Sequence, residues 1–297
     1  MYRIGIIGSD NTHALAFSRL CNIPDENGKY LYNDVRVTAI CGDGDDASHT
    51  VEIARKANIE SIVDAPSDMY GKVDAVMVVH RHGNKHIPCA IDFIKRGYPI
   101  WIDKPISSSL DDIETFKLVC QEYNPLVMGG STLKFNDDVL KAKMKIENAS
   151  LGNVYGGTLN FLGSLDSEYD GLFFYGPHLI EEVLTIFGYD VKSIQAFRIS
   201  DTEISVIMKY ADYIVNMNYL NNVHDYFITV YGSENSFTSK IDISNIYKCG
   251  LDEFIKMIKF QKAPQTIDEL VKSVYIIDAI YKSLNNKVEI VIENGGI

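Results

Sequence analysis

The chain has 297 residues, 46% of them hydrophobic and 23% charged, enough for two domains with full cores. A formal net charge of −12 gives no electrostatic footprint for nucleic acid or for an anionic membrane surface, which leaves small molecules and other proteins as partners. Five cysteines, none at CxxC spacing, read as free thiols in a reducing compartment; Met1–Gly8 reads as a strand rather than a leader, and no apolar run approaches the roughly 20 residues of a membrane span, so a cytoplasmic protein is expected.

Tyr2–Ile7 is a short apolar run, the pattern of a parallel strand covered on both faces. Asp10, Asn11 and Thr12 supply helix-capping chemistry, and Ala14, Phe17, Leu20 and Cys21 follow at helical spacing. Val35–Cys41 is the next strand, Ala47–Ala57 a helix, and Ala75–Val79 a third strand ending at His80. A helix lined by Ile87, Ile91 and Ile94 follows, with Pro88 in its first turn and Gly97 past its end. Ile100–Ile102 is a strand, Ser109 caps a helix carrying Leu110, Ile113, Phe116 and Cys120, and Leu126–Met128 closes the series. Strand–helix alternation with short links predicts an α/β domain over residues 1–128, a doubly wound parallel sheet of the Rossmann kind.

The pattern then changes. A helix over Asp138–Glu147 leads to strand-like runs at Val154–Leu162, Ser193–Ser200, Glu203–Tyr210, Tyr213–Tyr219, Phe227–Val230 and Ser236–Ile241, which read as an antiparallel meander. Two helices close the chain, the second opening on a capping box from Thr266 to Glu269. Residues 129–297 are expected to form an α+β domain around a large, mainly antiparallel sheet, one face of which would serve a homo-oligomer, a dimer or tetramer.

In an open parallel sheet, ligands bind beyond the carboxyl ends of the strands. Four segments fall there: Gly8–His13, Gly42–Asp46, His80–His86 and Asp103-Lys104-Pro105. His13, His80, His82 and His86, four of the seven histidines, thus gather at one edge. They suit phosphate or substrate hydroxyls. The run His80-x-His82-x-x-x-His86 also offers ligand types for zinc or another transition metal, though at no specific metal spacing.

At Trp101-Ile102-Asp103-Lys104-Pro105 the chain resembles the glucose–fructose oxidoreductase/inositol dehydrogenase/rhizopine catabolism (Gfo/Idh/MocA) family of NAD(P)-dependent oxidoreductases, which carries Glu-Lys-Pro after a Rossmann strand. Asp74-Ala75-Val76 opens a strand that ends in a polar loop, as in that family. Ser150–Val154 is similar to its G-x-L-G at the start of the second domain, and Gly176-Pro177-His178-Leu179-Ile180-Glu181 to its G-x-H-x-x-D. The resemblance implies an NAD(P)-dependent dehydrogenase or reductase acting on a sugar, polyol or similar small hydroxylated compound. It implies that Lys104 lies beside the nicotinamide and substrate, with Asp103 in the same catalytic set, and that His178 faces them from the second domain. Alcohol oxidation needs a group to take the hydroxyl proton, either a histidine near neutral pH or a lysine whose pKa burial lowers. Glu181 and Glu182, three and four residues after His178, are each placed to reach back toward it on a helix. Lys134 reads as a substrate contact or a solvated charge. Gly8, Asp10, Asn11, Thr12, His13, Asp43, His80, His82 and Pro105 are the expected cofactor-binding positions, and in this reading no metal is bound.

The G-x-G-x-x-G fingerprint is altered: Gly8 stands first, but Asp10 and His13 replace the second and third glycines. A carboxylate beside a diphosphate opposes the attraction of the helix N-terminus, typically about 0.3–1 kcal/mol at exposed sites. Gly42 stands at the usual acidic position of the second strand and Asp43 one residue later, where an acid favours NAD over NADP. Two other readings stay open: a relative with a degenerate dinucleotide site that works as a metal-dependent enzyme, and a non-catalytic ligand-binding protein.

Overall fold

The computed structural model describes residues 1–42 and 47–292, in two compact units. Met1–Gly130 together with Gly250–Ile267 forms the first, and Ser131–Cys249 together with Asp268–Ile297 the second.

Six parallel strands carry the first unit: β1 (Tyr2–Ile7), β2 (Val35–Cys41), β3 (Ser61–Val63), β4 (Ala75–Val78), β5 (Ile100–Ile102) and β6 (Val127–Gly129). Their order is β3-β2-β1-β4-β5-β6. The chain winds outward from β1 to β3, then restarts beside β1 and winds the other way. The loops after β1 and β4 therefore part, and the crevice between them is where such a sheet receives a ligand. Every residue of β4 and β5 is buried, which is what continuous apolar runs covered on both faces produce. The covering helices are α1 (Thr12–Asn22), α2 (Ala47–Lys56), α3 (His86–Lys95) and α4 (Leu110–Tyr123). Asn11 caps α1, its Oδ1 accepting from His13 N at 2.7 Å, and Ser109 caps α4 by accepting from Asp112 N. β3 escapes the sequence reading because it is a three-residue edge strand with no buried residue.

At the end of β6, Gly129 has φ +157°, and a Cβ there would lie 1.7 Å from the Ile102 carbonyl oxygen. Only glycine lets β6 run this close to β5.

The second unit holds α5 (Asp137–Glu147), β7 (Val154–Phe161), α6 (Gly176–Phe187), β8 (Ser193–Arg198), β9 (Ile204–Lys209), β10 (Ile214–Tyr219), β11 (Phe227–Gly232) and β12 (Ser236–Lys240). It also holds the start of α7 (Ile246–Phe260), then α8 (Ile267–Asn286) and β13 (Ile290–Val291). The sheet order is β12-β11-β7-β10-β9-β8-β13. All pairings are antiparallel except β10 with β7, which is parallel. The expected meander is thus interrupted, because β7 lies between β10 and β11 in the interior of the sheet rather than beside β8. Ile204, Val206, Met208, Val215, Met217 and Tyr219 alternate into the core. From Gly250 onward α7 belongs to the first unit, where Phe254 meets Trp101 edge to face at 6.2 Å and Phe17 covers the indole from another side at 5.8 Å.

Every residue of α6 but Thr185 is buried. The helix nevertheless contains Glu182, which is wholly enclosed and has no hydrogen-bond partner on either carboxyl oxygen among the described residues. Burial alone pushes its pKa from 4.5 up to about 8. Between those two values the folded chain keeps a proton that the unfolded chain has released, so stability falls as pH rises, by about 1.4 kcal/mol per pH unit for one group. Glu182→Gln is expected to flatten this slope and to stabilise the protein most near pH 8, as read by chemical denaturation across that pH range. An unchanged pH dependence would show that Glu182 is not held protonated.

Candidate functional site

In the first unit the site is built from the segments that leave β1, β4 and β5. Gly8 follows β1 with φ +99°, and a Cβ on it would come 2.7 Å from the backbone nitrogen of His80. The two lips of the crevice meet here, backbone to backbone. Side chains tie them further: Asn11 Nδ2 donates to the Val79 carbonyl at 2.5 Å, and Asp10 Oδ1 accepts from Arg81 N at 2.8 Å. Asp10 therefore turns toward the loop after β4. Thr12, the first residue of α1, is exposed.

Asp103 follows β5 and is 1% exposed. Its Oδ2 accepts a short hydrogen bond from His13 Nδ1, and its Oδ1 accepts from Lys104 N at 2.9 Å. Burial raises its pKa, but the charges on His13, Lys104 and His86 and the bond from His13 prevail, and it stays below the ordinary aspartate value. An ionised carboxylate only accepts, so His13 Nδ1 carries the proton of that bond. Lys104 is also buried. Desolvation pushes its pKa below the usual lysine value and Arg81 adds to the effect, while Asp103 opposes it.

His80 is buried and His82 half-buried, the latter heading the short 3-10 turn Gly83–Lys85. His86 is fully enclosed, with Nδ1 2.6 Å from the Pro105 carbonyl oxygen and Nε2 2.8 Å from that of His80. Both ring nitrogens are turned to carbonyl oxygens, so His86 offers no lone pair to a metal. Among the described residues no group of three or more His, Cys, Asp or Glu side chains is placed to hold a metal ion. Pro105 packs on Gly83, where a Cβ would lie 2.4 Å from its ring. At Gly42 a Cβ would fall 2.0 Å from Thr50 Oγ1, which is hydrogen-bonded to Ser9 Oγ. No side chain fits at the usual acidic position of the second strand, and Asp43 lies outside the described residues.

In the second unit, His178 sits in the first turn of α6 and is 8% exposed. Its Nδ1 is 2.7 Å from Ser131 Oγ, and its ring packs on Phe161 at 5.3 Å. Glu181 does not reach back to His178 as the helical spacing suggested. Its Oε2 accepts from Ser131 N at 3.0 Å and Lys134 Nζ at 2.9 Å, and its Oε1 from Ser273 Oγ at 3.3 Å. Burial pushes Glu181 up from its ordinary pKa even though Lys134 and the hydrogen bonds pull it down. Lys134, expected on the surface or against substrate, is the enclosed partner of this pair. Ser131 is the residue the sequence reading missed. Serine after two glycines carries no signal of its own, and only the fold brings it to His178.

Residues 2–131 match the family described as an oxidoreductase family with an NAD-binding Rossmann fold, Gfo/Idh/MocA. No sequence among curated proteins matches the chain. Among solved structures, myo-inositol dehydrogenase from Corynebacterium glutamicum superposes with TM-score 0.83 at 14% identity, covering 99% of this chain and 100% of that one. Scyllo-inositol dehydrogenase from Lactobacillus casei, solved with NAD(H) and scyllo-inositol, gives 0.81 at 13% identity over 98% and 99%. Myo-inositol 2-dehydrogenase from Lactobacillus plantarum gives 0.81 at 15% over 98% and 99%. At these identities the likeness is one of fold.

Removing one member of a buried pair strands the other. Lys134→Met is expected to destabilise the protein by about 3–5 kcal/mol, and Lys134→Met with Glu181→Met by much less, since the double variant leaves no unpaired charge. Denaturant titration of the three proteins reads this. Equal losses in the single and double variants would show that the pair does not carry the second unit's stability.

Proposed function

We propose that the chain, whose residues 2–131 match the Gfo/Idh/MocA oxidoreductase family, is an NAD(P)-dependent dehydrogenase or reductase acting on a small hydroxylated compound of the polyol or sugar class. The observation that carries this reading is the end of β5, where an ionised Asp103 and a Lys104 driven toward neutrality by burial stand side by side at the carboxyl edge of the sheet. The turn from β1 into α1 fits the diphosphate of a dinucleotide. Its backbone runs through Gly8 at positive φ, the first turn of α1 has no acidic residue, and Asp10 turns one carboxylate oxygen to Arg81 N in the loop after β4. A nicotinamide bound there would supply the hydride acceptor or donor. The polyol class is supported by the inositols named for structures of the same fold.

Within this reading Lys104 is the proton-handling group. Its lowered pKa makes the neutral amine available below the ordinary lysine value of 10.5, so alcohol oxidation gains rate with rising pH along a limb below that value. Asp103 accepts from His13 Nδ1 on one oxygen and from Lys104 N on the other. Its part is to hold His13 and the strand end in place.

Two measurements test the proposal. Titration with NADH and NADPH should give saturable energy transfer from Trp101, the single tryptophan, which is fully buried in the middle of β5. No transfer from either dinucleotide by a folded protein would refute the cofactor reading. With a polyol substrate, Lys104→Ala should cost roughly 10²–10⁴-fold in turnover, as loss of a general base does, with an unchanged circular dichroism spectrum. Full activity in this variant would remove Lys104 from the chemistry.

A further inference from the structure

We propose that His86 is a positioning residue that clasps together the segments leaving β4 and β5, and that it holds both only while its ring carries two protons. The ring and both its partners belong to the first unit, so the clasp stands on that unit alone. Only its bearing on turnover rests on the oxidoreductase reading.

His86 is the first residue of α3 and is fully enclosed. Its Nδ1 lies 2.6 Å from the Pro105 carbonyl oxygen, and its Nε2 lies 2.8 Å from the His80 carbonyl oxygen. A carbonyl oxygen only accepts, so both contacts are hydrogen bonds only if both nitrogens donate. A neutral imidazole has one N–H and an imidazolium has two. In the neutral ring a lone pair faces a carbonyl oxygen, and two acceptors at this distance repel each other. One of the two carbonyls must then turn away. The Pro105 carbonyl belongs to a buried residue and has no other partner among the described residues, so releasing it leaves a buried acceptor unpaired. The two short contacts together are the geometry of the doubly protonated ring.

The second proton is contested. Burial is the largest influence, and it lowers the pKa of His86 below the ordinary histidine value of 6.5. The place of His86 at the start of a helix disfavours a cation in the same sense. The titratable groups that face the ring are His80, from the segment after β4, and Asp103, from the end of β5. His80, with its ring centroid 6.1 Å away, adds to the lowering. The Asp103 carboxylate and the two carbonyls oppose it. The second proton is therefore taken up on the acid side of 6.5. There the clasp closes on both carbonyls, and above that range it keeps one.

Pro105 directly follows Lys104, and His80 lies against Gly8 at the lip of the crevice. In acid the two segments are locked to each other. As pH rises, one of them is let go, in the same direction of pH that makes the neutral amine of Lys104 available. On the oxidoreductase reading, the end of β5 is thus held rigid while Lys104 is charged and is loosened as it becomes able to take a proton.

NMR of the wild-type protein tests the clasp with neither dinucleotide nor substrate, so a failed clasp and a failed oxidoreductase reading give different results. The ring nitrogens of ¹⁵N-labelled histidine and the ¹³C shifts of the His80 and Pro105 carbonyls are followed from about pH 8 down to the onset of acid unfolding. The expected result is one ring N–H on His86 at the upper end and a second appearing below 6.5. One of the two carbonyl shifts should move with the same midpoint. Hydrogen exchange, corrected for its intrinsic pH dependence, should show residues 79–85 or 103–108 better protected on the acid side. His86→Gln, whose amide gains no proton in this range, should abolish that difference. A ring that keeps a single N–H until the protein unfolds would overturn the proposal, and so would a ring with two N–H groups at every pH. Both results are read from the wild type, so they decide the matter even where His86→Gln fails to fold.

Discussion

A carboxylate taken out of water must be given a cation or several donors, or it must take up a proton. This constraint organises both units, through Asp103, Glu181 and Glu182, each almost or wholly enclosed. Asp103 keeps its charge because His13, Lys104 and His86 surround it. Glu181 has Lys134, Ser131 and Ser273 but still feels its burial. Glu182 has none of these and is held neutral to about pH 8. The same desolvation acts on Lys104 in the opposite sense, toward the free amine. The acid–base character of the carboxyl edge of the first unit's sheet is therefore a result of where β5 ends, in a buried position.

Much of this was legible in the sequence, and what was legible had a local cause. The strands β1, β2, β4 and β5 are apolar runs of the length a two-sided parallel sheet needs, and each is followed by polar residues. Their loops had to share an edge, which is how His13, His80, His82, His86, Asp103 and Lys104 could be grouped before any coordinates. Asn11 and Ser109 announced their helices by capping chemistry. The failures were non-local. β3 has no buried face to write a pattern, β7 pairs with β10 in parallel across a long connection, and the return of Gly250–Ile267 to the first unit leaves no mark in composition. Lys134 looked like a solvated charge because nothing near it in the chain says that Glu181 lies 2.9 Å away. Ser131 was invisible for the same reason.

The altered fingerprint acquires a physical explanation once the crevice is seen. In the usual pattern a second glycine keeps the turn slim so that a diphosphate can approach. Here the residues after Gly8 do a different job. Asn11 and Asp10 reach across to Val79 and Arg81, and Gly8 itself lies against the backbone of His80. His13, at the third glycine's place, turns to Asp103. Four contacts, from Gly8, Asp10, Asn11 and His13, thus bind the β1 lip to the β4 lip and to the end of β5. This turn is held in shape by its own side chains. The carboxylate that would repel a phosphate is the one that accepts the Arg81 N–H. The substitutions that make the motif hard to recognise are therefore the ones that preorganise the turn, and preorganisation lowers the ordering that binding would otherwise require.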